Sequence, residues 1–157
     1  MIWAGIVDDR LIGPFKVDDG VKINSVNYTA FLEKNFFPWY KAQSRSFKAK
    51  SMFMHDNAPS HASKWTRAYL EKKKIKGEKI MEWPSQSPDL NPIENLWGIM
   101  KRALYPDTKQ YANKKELWAA IQEVCSNIDP KVIKGLTQSV DDRLFRCVQA
   151  NGGYIRM

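Results

Sequence analysis

The stretch Trp83-Pro-Ser-Gln-Ser-Pro-Asp-Leu-Asn-Pro-Ile-Glu-Asn-Leu-Trp97 constrains this chain more than any other. Prolines at 84, 88 and 92 fix φ repeatedly within a short span and leave the segment few conformations. Asn91 is placed to cap a helix, Pro92 suits its first position, and Glu94 falls three residues after the cap. Ile93, Leu96, Trp97, Met100 and Leu104 then recur at helical spacing and form one apolar stripe. The stretch reads as a strand end, a stiff loop and a helix whose N-terminus carries one carboxylate. Two roles are open for Glu94. Asn-x-x-Glu is the pattern of a capping box, in which the glutamate has only a structural task. The alternative is that the loop exists to hold that carboxylate for chemistry.

A second stretch bears on the choice, His55-Asp-Asn-Ala-Pro-Ser-His61. Ser51 to His55 is a short apolar run with the look of a buried strand. Asp56 ends it, and Asn57-Ala-Pro59 turns the chain towards a helix. An acid at the carboxyl end of a strand in an α/β sheet lies where ligands bind. Asp56-Asn57 is equally an ordinary Asx turn. His55 alternates with Asp56 along the run and is expected to face the other way. The two histidines lack the further nearby ligands that a zinc site needs.

Together, HDNAPSH and WPSQSPDLNPIENLW closely resemble the catalytic domain of the mariner/Tc superfamily of DNA transposases. The likeness extends to Met1–Val7 and Ile12-Gly-Pro-Phe15, which look like that family's strand hairpin. It covers Met1 to about Tyr105, and the tail more weakly. The resemblance implies an α/β, ribonuclease-H-like mixed sheet flanked by helices, and a triad of acids. Asp56 matches the second acid and Glu94 the third. Asp89, in the same loop, matches a loop-shaping position and is the second choice as a metal ligand. The implied cofactor is Mg²⁺, or Mn²⁺. Carboxylate oxygens suit such ions, which take one or two protein carboxylates and keep waters for substrate phosphate. The implied chemistry is DNA strand cleavage followed by transfer of the freed 3′-hydroxyl to target DNA. Transposon ends and target DNA are then the partners, the family pattern allows a homodimer, and the implied compartment is the nucleus.

The family's first aspartate sits on a strand upstream of the Trp3-Ala-Gly5 strand, and its helix-turn-helix DNA-binding region lies further upstream. Residues 1–157 therefore read as a single catalytic domain lacking the first, central strand. Asp8-Asp9 and Asp18-Asp19-Gly20 read as turns, with only a minor claim to metal. Two acids alone are expected to hold Mg²⁺ poorly and leave the chain nearly inactive. Either a gap in the sheet or pairing of the hairpin with residues 51–55 is expected, at a cost in stability.

Composition agrees with an anionic partner. The formal net charge is +8 and the pI about 9.5. At 157 residues the chain can bury a sizeable core. It has no apolar run long enough to cross a membrane. Cys125 and Cys147 are far apart, which points to reduced, buried thiols. The basic run Lys72, Lys73, Lys74, Lys76 and Lys79 is either a phosphate-neutralising cluster or a solvated helix end. Lys101 and Arg102, beyond Glu94, either line DNA or face solvent. His61 either helps position DNA or a metal-bound water, or fixes the turn into its helix.

Further helices are predicted from Asn24 or Ser25, with Tyr28, Phe31, Leu32 and Phe36 on one face and Pro38 ending or kinking it. The aromatics Phe36, Phe37, Trp39 and Tyr40 read as packing residues. Gln43 to Lys50, with Arg45, Lys48 and Lys50, reads as a loop. A helix is expected over Ala62–Lys74 with Trp65, Ala68 and Tyr69 buried. Asn113-Lys-Lys-Glu116 opens another, with Leu117, Ala120, Ile121 and Val124 inward. Asp129-Pro130 opens the last, with Ile133, Leu136, Val140 and Leu144 on one stripe and Asn151-Gly152 as its stop. Two rival functions remain: a DNA-binding relic or domesticated remnant without catalysis, and a purely structural or partner-binding domain.

Overall fold

The computed structural model describes residues 1–84 and 86–155. In chain order the elements are β1 (Ile2–Val7), β2 (Arg10–Lys16), α1 (Ser25–Phe31), α2 (Phe37–Ala42), α3 (Arg45–Lys50), α4 (Pro59–Ala62), α5 (Lys64–Lys72), α6 (Pro92–Leu104), α7 (Lys114–Ser126), α8 (Pro130–Gln138) and α9 (Val140–Gln149). They group into two compact units. One comprises Met1 and Val17–Gln86, the other Ile2–Lys16 and Ser87–Met157.

In the second unit, β1 and β2 pair antiparallel from Ile2↔Lys16 to Val7↔Arg10. Asp8-Asp9 forms the turn, as predicted, with Asp8 in the left-handed region at φ 53°. The register shifts between Trp3 and Gly5. Across from that shift Gly13 has φ +100°, and a Cβ there would lie 3.1 Å from the Trp3 carbonyl oxygen and the Phe15 nitrogen. Glycine is required at that bulge.

The predicted stripe of α6 forms the core of this unit. Leu96, Met100 and Leu104 are buried with Ile121 and Cys125 of α7, and Ile2, Ile6, Leu11, Ile93, Trp97 and Leu136 pack around them. Burial of Leu96, Met100, Leu104 and Ile121 contributes roughly 1.5–3 kcal/mol each. The inward face expected for α7 holds. Cys125 and Cys147 are free thiols, and burial pushes that of Cys125 up to about 11.

The C-terminal helix departs from the prediction. It is two helices, α8 and α9, meeting at Ser139. Leu144, expected inward, is exposed, and Arg143 takes the inward place with 1% of its surface accessible. A buried guanidinium needs partners. Arg143 Nε donates to Ser139 Oγ at 2.8 Å, and Nη1 donates to the Asp89 carbonyl at 3.0 Å. Ile133, Leu136, Val140, Arg143 and Cys147, buried or half-buried, keep helical spacing through the turn at Ser139, with Arg143 in place of Leu144 at the fourth step.

In the first unit, Asn24 caps α1 by accepting the Asn27 N–H at 2.9 Å. Tyr28, Leu32 and Phe36 are buried. Leu32–Phe36 is a π-helical turn, with the Phe37 N–H donating to the Leu32 carbonyl. The widened turn admits Pro38, which has no N–H to donate, and the chain continues as α2. Phe36 lies within 5.2–5.9 Å of the Phe37, Trp39, Tyr40 and Phe53 rings, so these aromatics pack as expected.

Three expectations fail here. Gln43 to Lys50 is not all loop. Ser44 caps α3 by accepting the Phe47 N–H at 3.1 Å, and the Lys79 ammonium donates to the Lys48 and Ala49 carbonyls at its other end. Residues 51–55 and 80–83 are not strands. Phe53 makes one parallel bridge to Ile80, its N–H to the Lys79 carbonyl at 2.7 Å and its carbonyl to the Met81 N–H at 3.0 Å. Among the described residues, 51–55 make no pairing with the hairpin, and β1–β2 is a two-stranded sheet. The helix expected over 62–74 divides into α4 and α5 at Ser63, whose Oγ accepts the Thr66 N–H at 3.1 Å. That cap turns Thr66 and Leu70 inward, leaving Trp65 exposed with its indole N–H on Thr29 Oγ1 at 3.0 Å.

Glu33 ties α5 to the π-helical turn. Its carboxylate meets the Lys73 ammonium at 2.5 Å, Lys41 at 3.4 Å, and the Tyr69 hydroxyl, which donates to it. The Lys73 bond, then Tyr69, hold its pKa down at about 2 against an ordinary 4.5. A carboxylate with a depressed folded pKa stabilises fully above its unfolded pKa, and that stability is lost as pH falls through the folded one. Thermal melts between pH 6 and pH 2 should show this loss below about 4.5, with E33Q less acid-sensitive than the parent over the same window. Equal acid sensitivity of the two would contradict the assignment.

Candidate active site

Glu94 stands in the first turn of α6. Asn91 Oδ1 accepts the Ile93 N–H at 3.2 Å. In a capping box the glutamate would reach back to the Asn91 N–H. That N–H instead donates to the Pro88 carbonyl at 3.0 Å. The Glu94 side chain is exposed and makes no hydrogen bond or ion pair with the described residues. The same pattern at α7 behaves differently. Asn113 Oδ1 accepts the Lys115 and Glu116 N–H groups at 3.0 and 2.9 Å, and Glu116 Oε2 accepts the Ala112 N–H at 2.9 Å. Of the two glutamates, Glu116 works as a cap and Glu94 does not.

The loop before α6 is held from the C-terminal side of its own unit. Asp89 Oδ2 accepts the Ile155 N–H at 2.9 Å, and the Asp89 carbonyl takes the Arg143 guanidinium. Leu90, Asn91 and Ile155 are buried. Asp89 thus shapes the loop, with one carboxylate oxygen engaged in doing so.

Asp56 lies in the other unit. Its Oδ1 accepts the Ala58 N–H at 3.0 Å, the Asx turn that the sequence allowed. The same oxygen lies 2.5 Å from His61 Nδ1. Its Oδ2 has no partner among the described residues, and the side chain is 56% exposed. Asn57 Nδ2 donates to the Trp83 carbonyl at 2.6 Å, tying this turn to residue 83. The His61 ring sits 4.2 Å from that of Tyr28 and 5.3 Å from that of His55, nearly parallel to the latter at 6°. His55 turns inward while Asp56 faces out, as expected. Burial, then the neighbouring His61, pushes the His55 pKa down to about 4, so the ring is neutral at pH 7. Its Nδ1 is buried without a hydrogen-bond partner among the described residues.

The donor chemistry fits a hard divalent cation. Asp56 and Glu94 are exposed carboxylates, each with oxygen that no donor among the described residues takes, and Mg²⁺ is commonly bound through one or two such groups. Among the described residues no group of three or more His, Cys, Asp or Glu side chains is placed to hold a metal. Asp8, Asp9, Asp18 and Asp19 are all exposed in or beside turns.

The basic candidates separate. Lys73 is paired with Glu33 and lies over the Phe37 and Tyr69 rings at 5.1 and 5.4 Å. Lys76 pairs with Glu71 at 3.3 Å. Lys72, Lys74, Lys101 and Arg102 are exposed. The His61 side chain is only 19% exposed and faces Asp56, which makes it a poor surface for DNA. Sequence reasoning missed the Arg143 support, for which no pattern gives a signal. It also missed the His61–Asp56 bond, although the five-residue spacing across the turn was visible.

The DDE superfamily endonuclease family model matches residues 5–118, and the chain belongs to that family. It is 34% identical over 155 residues to the Tc3 transposase of Caenorhabditis elegans, covering 99% of this chain and 45% of that protein. It is 33% identical to the Tcb1 transposase of Caenorhabditis briggsae, covering 97% and 52%. The chain therefore spans about half the length of these relatives. Among solved structures it resembles the catalytic domain of the Mos1 mariner transposase, with TM-score 0.81, 22% identity, and coverage of 95% of this chain and 72% of that one. The same domain with raltegravir and Mg gives 0.79 at 22% identity, covering 95% and 73%. The Mos1 paired-end complex with the left transposon end gives 0.79 at 22%, covering 99% and 44%. The fold is the ribonuclease-H-like α/β class that the motifs implied.

The two Asn-x-x-Glu sites make a direct comparison. E116A should lose the acceptor of the Ala112 N–H as well as the charge at the helix end, and so cost up to about 1 kcal/mol more in urea unfolding than E94A, which loses the charge alone. A stability loss in E94A equal to that in E116A would return Glu94 to a purely capping role.

Proposed function

We propose that this chain is the catalytic part of a Tc/mariner-type transposase, with Asp56 and Glu94 as metal-binding carboxylates. The observation that carries this reading is that both acids sit on stiff, internally bonded turns while presenting oxygens that the protein leaves unengaged. Such placement leaves only side-chain torsions to be ordered when a cation arrives. Mg²⁺ or Mn²⁺ bound there would supply charge neutralisation at a phosphodiester and an activated oxygen nucleophile. The protein's part is to fix the backbone that carries the two acids: the Asn91 N–H bond to the Pro88 carbonyl sets the start of α6, and the Ala58 N–H holds one oxygen of Asp56. Magnesium and transposon-end DNA in the Mos1 complexes support the same cofactor and partner class here.

The DNA backbone would meet the exposed Lys72, Lys74, Lys101 and Arg102, each neutralised phosphate adding about 0.9 to the salt slope of binding. Lys73 and Lys76 already have carboxylate partners and contribute less. Two transposon ends require two catalytic sites, so a homodimer is the assembly this reading carries, and the nucleus is its place of action. One observation favours a second reading, DNA binding without catalysis. Among the described residues no third ligand joins a carboxylate to complete a metal-holding group.

Supercoiled plasmid, incubated with the protein and Mg²⁺ or Mn²⁺, separates the readings. With two of the resembled family's three acids in residues 1–157, the catalytic reading expects weak nicking that disappears with chelator and in D56N and E94Q. Salt-sensitive binding without nicking selects the second reading. Nicking that survives both substitutions would contradict the assignment of the acids.

A further inference from the structure

Asp56 has its two oxygens in different situations. Oδ1 takes two donors, the Ala58 N–H at 3.0 Å and His61 Nδ1 at 2.5 Å, while Oδ2 takes none among the described residues. A carboxylate on a single short stem can rotate about χ2, which is a broad torsion, so one backbone donor leaves its plane loosely set. Two donors converging on the same oxygen define that plane and decide which oxygen is left over. His61 can only donate to a carboxylate through a protonated Nδ1.

The imidazole is itself held. It lies in α4 on a turn closed by the His61 N–H to the Ala58 carbonyl at 2.8 Å. Its ring packs against Tyr28 at 4.2 Å and runs parallel to His55 at 5.3 Å. Tyr28 is buried in α1. His61 is therefore a rigid donor, mostly covered, and aimed at an exposed acid. A residue with only a packing task would have no need to direct a ring nitrogen at a solvated carboxylate.

We propose that His61 is a positioning residue for Asp56, fixing Oδ1 so that Oδ2 is presented to the metal. The inference rests on the metal-binding reading of Asp56 given above. It assigns His61 no contact with metal or DNA. Its effect passes through the carboxylate, in the way that hydrogen bonds behind a metal ligand orient that ligand, and loss of such a partner typically weakens metal binding about 10- to 100-fold.

The decisive variants are H61N and H61F. Asparagine places an amide N–H near the position of Nδ1 but removes the ring. Phenylalanine keeps a ring for Tyr28 and His55 but removes the donor. Mn²⁺ affinity, read from the EPR signal of free Mn²⁺ during titration, should stay near the parent value in H61N and fall roughly 10-fold in H61F. Circular dichroism melts confirm that each variant is folded. H61F binding Mn²⁺ like the parent, or H61N losing affinity as H61F does, would overturn the positioning role. D56N is the separate control. If it binds Mn²⁺ as tightly as the parent, the metal reading of Asp56 fails, whatever the His61 variants do.

Discussion

The bond from the Asn91 N–H to the Pro88 carbonyl settles what Glu94 is available to do. A helix N-terminus has backbone donors that need acceptors, and a glutamate at the third position is the usual one to reach back. Here the proline-stiffened loop folds so that its own carbonyl takes that donor first. Glu94 is left exposed in the first turn of the helix. The loop is rigid enough for this because Arg143 and Ile155 grip Asp89 from behind. Remote residues of the C-terminal segment thus determine the freedom of one acid.

Asp56 reaches a similar condition by another route. Its turn needs an acceptor for the Ala58 N–H, and Oδ1 supplies it. The structural work falls on one oxygen and leaves the second. The Asx-turn and metal-ligand readings of Asp56 were posed as alternatives, yet one side chain satisfies both. For Glu94 the alternatives are exclusive, and the capping-box reading loses to the Pro88 carbonyl. His55 shows the opposite environment one residue away. It is drawn into the Tyr28, Phe53 and His61 rings, and burial keeps it neutral.

Much of this was legible in the residues. The hairpin, the α6 stripe, the Asn24, Asn91 and Asn113 caps and the aromatic packing follow from local chemistry, and the structure has them. The family likeness carried the fold class and pointed to Asp56 and Glu94. What failed has common causes. The 51–55 and 80–83 runs are apolar enough for strands, but a strand exists only where a neighbour pairs along its length, and only Phe53 and Ile80 do. The Ser63 and Ser139 breaks were invisible because serine is tolerated inside helices as well as at their caps. Thr66 and Leu70 take the inward face of α5 in place of Trp65, and Arg143 takes the inward place one residue before Leu144. Arg143 could not be found at all, since its buried place depends on a carbonyl 54 residues earlier.

The proposed assignment makes Asp56 and Glu94 the carboxylates that take a divalent cation, and leaves Asp89 and Glu116, which accept the Ile155 and Ala112 N–H groups, to the fold. Carboxyl-carbon NMR of the ¹³C-labelled protein, titrated with substoichiometric Mn²⁺, addresses it most directly. Selective broadening of the Asp56 and Glu94 signals, with Asp89 and Glu116 spared, is the predicted result. Broadening that spares Asp56 and Glu94, or that falls equally on all four, would contradict it.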